Sequence, residues 1–307
     1  MRYTHVPIPK YADCNYGLQI FSVKVNQLLL NEEEEEEEEE GLHWPLHVYG
    51  LVATRDSLDP RRNLLFNRTR DNCQILTQQD PFLLLTGPTR AVVLVIDPVK
   101  FEIQLKAKGT SESEDKVLNF RVLVYHHDYS LADPPFIVRR RRRCKRSELE
   151  FAFTLLVRSV EATISVQVVD GSSWPDDLGV QVAARTASIK IVLLDSQKQQ
   201  DGKMPIDDDG FIQLSRRVVS VELAGQLIVQ VLAFNSQQQV VDNDNDNKKD
   251  EIVAKHEIVF DPKEASLSVE TCELQLGGGG GGGGGPCKLQ ISVAWSLVDR
   301  LPPVGYF

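Results

Sequence analysis

Residues that carry most enzyme chemistry are sparse in this chain: 307 residues hold five cysteines, six histidines and two methionines. Five is an odd count and the spacing is wide, so reduced thiols are expected rather than a disulfide framework. Cys272 and Cys287, flanking a glycine run, are the pair best placed to meet. Long apolar runs are absent too. None approaches the ~20 residues that cross a bilayer. Residues 1–10 are polar, with two prolines and no apolar stretch of a secretory leader. Asn67-Arg68-Thr69, formally a glycosylation sequon, is then idle and reads as a polar turn. There is no Gly-x-Ser-x-Gly elbow. The glycine run ends on Pro286 rather than Lys followed by Ser or Thr, so it is no phosphate loop. His126-His127-Asp128 has no further ligand at zinc spacing. Asp242, Asp244 and Asp246 are spaced like a calcium loop, but Asn247 stands at the glycine position and Val253 at the last ligand. No catalytic, cofactor-binding or metal-binding group is assembled, and a non-enzyme is expected.

The charge is uneven. Formal net charge is −10, and Glu32–Glu40 supply nine of the negative charges. The remainder is nearly balanced, so net charge identifies no partner. The opposite extreme is Arg139–Arg143, followed by Cys144, Lys145 and Arg146. Such a run suits an import receptor, an acidic partner or the chain's own glutamates. No aromatic residue is interleaved, so nucleic-acid bases have no stacking platform.

Internal repetition is the strongest feature present. Trp44-Pro45 is followed by Val52-Ala53 and Arg55; Trp174-Pro175 is followed by Val182-Ala183 and Arg185. The Trp-to-Arg spacing is eleven in both, and the copies lie 130 residues apart. Matching segments flank them in the same order. Leu18–Val23 and Ala162–Val166 come before; Phe82–Thr86 and Phe211–Ser215, Val92–Val95 and Val218–Val221, Ile103–Leu105 and Ile228–Val231, and Asp115–Tyr125 and Asp250–Phe260 come after.

Runs of five to nine residues alternate apolar and polar, as in half-buried strands. Asp59-Pro60, Asp97-Pro98, Asp209-Gly210 and similar pairs punctuate them as turns. Only Leu28-Leu29-Leu30 hints at a short helix. The expected fold is all-β: two similar antiparallel sandwich-like halves, 17–147 and 148–299, with tails at 1–16 and 300–307. Four inserts are expected as loops between strands: the glutamates at 32–40, the arginines at 139–143, the Asn/Asp segment 242–247 and the glycines at 277–285. The glycine run would join Glu273–Leu276 to Leu289–Ile291 as a long hairpin.

Trp44 and Trp174 then read as scaffold anchors at strand starts. Arg55 and Arg185 read as internal clamps on a carboxylate or a carbonyl. Asn67, Arg68, Arg70, Asp71 and Asn72 have no counterpart in the second half and are the candidate interaction residues. Asp195, Asp201, Asp207, Asp208 and Asp209 would have to converge from several loops to bind calcium; turn formation accounts for them more simply.

Leu18–Val25, Trp44–Asp56, Phe66–Cys73, Asp80–Asp97, Ser159–Ile164, Ala183–Ala187, Leu214–Val221 and Val293–Leu297 resemble a plant family, found mainly in grasses, known as domain of unknown function 6598. The resemblance covers roughly 17–298, and the four inserts depart from the family's usual spacing. Some members are joined to a ribosome-inactivating N-glycosidase in jasmonate-induced proteins, which implies a setting of stress or defence. Val182-Ala183-Ala184-Arg185 lacks the glutamate of that glycosidase, so no catalytic residue carries over. The expected function is a non-catalytic interaction module without a cofactor, with a protein partner favoured over nucleic acid or membrane. It would be cytoplasmic, or nuclear through Arg139–Arg146. The alternatives are an accessory to a ribosomal-RNA N-glycosidase and a calcium-dependent membrane-docking module.

Overall fold

The computed structural model describes residues 3–10, 12–29, 41–95, 97–127, 136–175, 177–186, 189–198, 204–240, 249–276 and 286–299, with backbone alone for 236–240 and 249–251. The segments 32–40, 242–247 and 277–285, Asp128, Asp201 and residues 300–307 lie outside them. Two compact units emerge: Tyr11–Ser159 with Val298–Phe307, and Met1–Lys10 with Val160–Leu297.

In the unit containing Tyr11–Ser159 the strands are β1 (Asn15–Leu28), β2 (Leu46–Arg55), β3 (Asn63–Arg68), β4 (Gln74–Leu76), β5 (Val92–Leu94), β6 (Val99–Ala107), β7 (Lys116–Tyr125), β8 (Ile137–Arg143) and the first part of β9 (Ser147–Val168). One sheet runs β5-β1-β9 with β8 on the other side of β9; the other runs β3-β2-β6-β7 with β4 beside β2. All pairings are antiparallel. Alternation explains why they face each other. In β6, Val99, Phe101, Ile103, Leu105 and Ala107 are buried while Lys100 and Lys106 are exposed. Leu149, Phe151, Phe153 and Leu155 of β9 supply the opposite wall of one continuous core. Phe101 packs 5.3 Å from Phe151 and 5.5 Å from Phe153, and Tyr125 meets Phe153 edge-on at 4.8 Å. Each such ring contributes about 1.5–3 kcal/mol through burial.

The other unit takes the rest of β9, then β10 (Leu178–Thr186), β11 (Ile189–Asp195), β12 (Val218–Glu222), β13 (Leu227–Val240), β14 (Lys249–Phe260), β15 (Ala265–Gln275) and β16 (Pro286–Ser296). One sheet runs β11-β10-β13-β14, and in the other β16 lies between β15 and residues 161–168 of β9, with β12 also on β9. Trp295 is fully buried and donates Nε1–H to Ser268 Oγ at 3.0 Å. Within the segment 1–10, Tyr3 and Thr4 are buried; Tyr3 N donates to Ser296 Oγ and Thr4 Oγ1 to the Trp295 carbonyl, both at 2.9 Å.

The chain is all-β, and among the described residues the only helical turns are short 3-10 segments, Glu112–Glu114 and Ser196–Lys198. Leu28 closes β1 instead of starting a helix, and Leu29 N donates to the Arg146 carbonyl at 2.9 Å. The arginines at 139–143 are likewise not a loop: they form β8, paired residue by residue with β9. The register also adjusts one segment match. Val52 faces Ile103, and Val182 faces Val231, three residues beyond the Ile228 matched to Ile103 in the sequence. The matched phenylalanines occupy similar places: Phe82 bridges to Lys24 of β1, and Phe211 to Gln167 of β9.

Candidate interaction site

The loop singled out in the sequence leaves β3 at Arg68 and enters β4 at Gln74. A turn closes it, with Asn72 N donating to the Thr69 carbonyl at 3.2 Å. Asn67, Asp71 and Asn72 face solvent, whereas Arg68 and Arg70 turn inward and are half-buried. Arg70 donates Nε–H and Nη2–H to Asp115 at 2.9 and 3.2 Å, and Nη2–H to the Gly109 carbonyl at 3.0 Å. Tyr49 OH donates to Asp115 at 2.5 Å and Gly109 N donates at 2.8 Å. The Arg70 hydrogen bond, opposed by burial and reinforced by Tyr49 and Gly109, holds the Asp115 carboxyl far below the usual range. Burial and the bond to Asp115 push the Tyr49 phenol up to about 12. Arg68 reaches Asn72 Oδ1 at 3.2 Å, and burial lowers its guanidinium. The two arginines therefore order the loop from beneath, and Asn67, Asp71 and Asn72 are what it presents. Cys73 Sγ lies 3.8 Å from His47 Nδ1, the long end for a thiol hydrogen bond.

Sequence reasoning missed a denser polar cluster after β2. Asp56 is fully buried through its side chain and accepts a two-pronged pair of bonds from Arg90, Nη1 at 2.7 Å and Nη2 at 2.8 Å. Val93 N, Leu58 N and Asp59 N also donate to it. Asn63 Nδ2 donates to the Arg90 carbonyl at 2.8 Å and its Oδ1 accepts from Thr89 N at 2.9 Å. Hydrogen bonds from Arg61 hold Asp59 down to about 2. Arg61, Arg62, Asn63, Thr89 and Arg90 line an open depression of about 370 Å³. The available signal was an asymmetry between the copies: Arg55 is followed by Asp56, and Arg185 by Thr186.

The scaffold residues differ in depth. Trp44 is half-buried against the core, whereas Trp174 is buried and donates Nε1–H to the Leu178 carbonyl at 2.9 Å. Arg55 ends β2 and meets Glu102 at 2.5 Å, and it also donates to the Pro60 carbonyl. Arg62 takes the other oxygen of Glu102 at 2.6 Å. Partial burial opposes ionisation of Glu102, but these two arginines hold its carboxyl below the ordinary range. Arg185 lies 3.8 Å from Glu257 and borders an open depression of about 720 Å³ with Thr186, Glu222 and Asp261.

Of the aspartates considered for calcium, Asp195 and Asp207 serve a strand end and a turn. Asp207 accepts from Asp209 N, Phe211 N and Gln213 Nε2; Asp195 accepts from Gln197 N and Gln181 Nε2. Among the described residues no three His, Cys, Asp or Glu side chains converge to hold a metal ion. Cys272 and Cys287 are buried free thiols on paired strands, and burial together with its neighbour Cys287 pushes Cys272 up to about 11.

Residues 17–280 of this chain match the family described as Domain of unknown function (DUF6598), and the chain belongs to that family. No curated protein matches it. Among solved structures it is similar to human GIVD cytosolic phospholipase A2, at 11% identity and a TM-score of 0.27, over 95% of this chain and 33% of that one. It is also similar to the two C2 domains of extended synaptotagmin 2, at 8% identity and a TM-score of 0.26, over 95% of both chains. This chain thus spans a third of the phospholipase's length. Likenesses at these scores say nothing about what the chain does.

Proposed function

We propose that this protein is a non-catalytic β-sandwich interaction module built from two copies of one unit. One observation carries the reading. On β7, an edge strand, Phe120, Val122 and Val124 are 60%, 46% and 40% exposed in one row. They stand beside Gln104, Glu102 and Lys100 of β6, on the face turned away from the core. A bulge between Leu105 and Lys106 keeps Val117 on that same face. Scattered exposed apolar residues need no explanation, but an aligned row on a strand supports the reading of a contact surface. The polar clusters support the same reading, because Arg70, Arg90 and Arg55 are engaged by Asp115, Asp56 and Glu102. Duplication is supported by the shared strand orders β3-β2-β6-β7 and β11-β10-β13-β14.

Free thiols at Cys272 and Cys287 support a reducing, cytoplasmic setting. A plant role in stress or defence follows only from the family resemblance. Purified protein should show no turnover on panels of nucleic acids, esters and glycans; reproducible turnover would sink the reading. Replacing Phe120, Val122 and Val124 by serine should leave the thermal midpoint within a few degrees and abolish the module's principal protein contact.

A further inference from the structure

Five consecutive arginines form most of β8, and their arrangement identifies a kind of partner. The hairpin to β9 is closed by Cys144 N donating to the Ser147 carbonyl at 2.8 Å. The register then runs without a bulge from Arg143 opposite Glu148 to Ile137 opposite Thr154. In an antiparallel ladder, residues alternate between pointing their backbone groups at the partner and away from it. Arg142, Arg140 and Val138 therefore bond to β9. Arg143, Arg141 and Arg139 turn their N–H and C=O groups outward, and among the described residues no strand pairs with that edge.

The side chains divide in the same rhythm. Arg140 lies 5.9 Å from the Tyr125 ring centre, and Arg142 Nε donates to the Val122 carbonyl at 3.1 Å. On the opposite face, Arg141 meets Glu150 at 3.0 Å and Glu148 at 3.7 Å, and Lys24 of β1 meets Glu150 at 3.4 Å. Arg139 is 3.9 Å from Glu150. Glu150 is nearly buried, whereas Arg139 and Arg141 keep 62% and 60% of their side chains exposed. Two carboxylates thus hold the strand in place while leaving most of its positive charge outward.

We propose that β8 receives an extended acidic segment of a partner protein as an added strand. This rests on the reading of the chain as an interaction module and names its partner's chemistry. Main-chain bonds to Arg139, Arg141 and Arg143 would supply affinity, and Asp or Glu side chains at alternate positions would meet those same three arginines on one face. Charge excludes a second copy of β8, since arginine would face arginine. A nucleic acid or lipid surface fits less well: the arginines divide between two faces, and no aromatic residue lies within the run for a base to stack on.

The test uses the full chain and a short fluorescent peptide alternating valine and glutamate. Binding that weakens with salt, and that is lost when alternate peptide nitrogens are methylated, is the expected result. Arg139→Pro should weaken binding about tenfold, well beyond Arg139→Gln, because proline removes an outward N–H and leaves the ladder to β9 intact. Equal binding of the methylated peptide would overturn strand addition, and so would displacement of the peptide by polyuridylate or anionic vesicles with no effect of the proline. Binding seen only after Glu32–Glu40 are replaced by serine would assign the edge to the chain's own glutamates and overturn an external partner. Absence of both binding and turnover would sink strand addition alone; cleavage of the peptide would sink the non-catalytic reading beneath it.

Discussion

β2 and β10 occupy the same place in sheets of the same order, yet their ends are built differently. Arg55 is clasped by Glu102 and the Pro60 carbonyl, and the next residue, Asp56, is a buried carboxylate held by Arg90 and three backbone amides. Arg185 sits 3.8 Å from its carboxylate and is followed by a buried threonine. The tryptophans reverse the contrast, with Trp174 deeper and hydrogen-bonded. A common strand frame therefore carries two different polar finishes, and the unit with Asp56 depends on charge where the other depends on packing.

Substitution at the buried carboxylate should break that contrast most sharply. Asp56→Ala strips Arg90 of its carboxylate and leaves the Val93, Leu58 and Asp59 amides without their acceptor, and urea unfolding is expected to show a loss of about 3 kcal/mol. Thr186→Ala should cost roughly 1 kcal/mol; equal losses would mean that the two ends are energetically alike.

A pH series sharpens the same point through Asp115. Its carboxyl is lowered in the fold, so its contribution is complete above the ordinary value of 3.8 and is lost as pH falls below it. Asp115→Asn should flatten that acid limb while lowering stability at neutral pH. Tyr49 has the opposite sign. Its raised phenol contributes fully below pH 10, and that contribution disappears as pH climbs towards about 12. Tyr49→Phe should remove this alkaline limb in the same titration.

Smaller effects separate the scaffold residues. Trp174→Phe removes the bond to the Leu178 carbonyl and should cost about 1 kcal/mol beyond Trp44→Phe, measured by thermal unfolding. Smallest is the arginine pair. Arg55→Ala is expected to cost up to about 1 kcal/mol, and Arg185→Ala a few tenths, because exposed ion pairs contribute little.

Strands were legible where burial imposes alternation, as in β6, whose sequence reads apolar and polar in turn. β8 was hidden because a run of five like charges normally stays solvated. What overrides that tendency is Glu148 and Glu150 across the hairpin, together with Val138 in the core. The Asn67–Cys73 loop was found, but not the direction of its arginines. Arg70 turns inward because Asp115, 45 positions downstream, waits beneath it. Asp56 and Arg90 lie 34 positions apart, and nothing local announces a pair at that distance. The difference between Arg55-Asp56 and Arg185-Thr186 was in plain view, and it pointed to the more heavily bonded of the two strand ends.

The pairing of β1 with β9 has a consequence for synthesis. Leu18, Ile20, Val23 and Val25 leave the ribosome well ahead of the residues opposite β1 in β9, which span Ser147–Ser159. A strand that must wait for so distant a neighbour spends that interval with one edge unpaired, when nascent chains are most prone to stick. Directly behind it in the chain come nine glutamates. Mutual repulsion and hydration of such a block shield a neighbouring apolar segment from wrong partners, as gatekeeper charges do. Replacing Glu32–Glu40 by serine is therefore expected to lower the soluble yield of newly made chain, read as the ratio of soluble to pelleted protein.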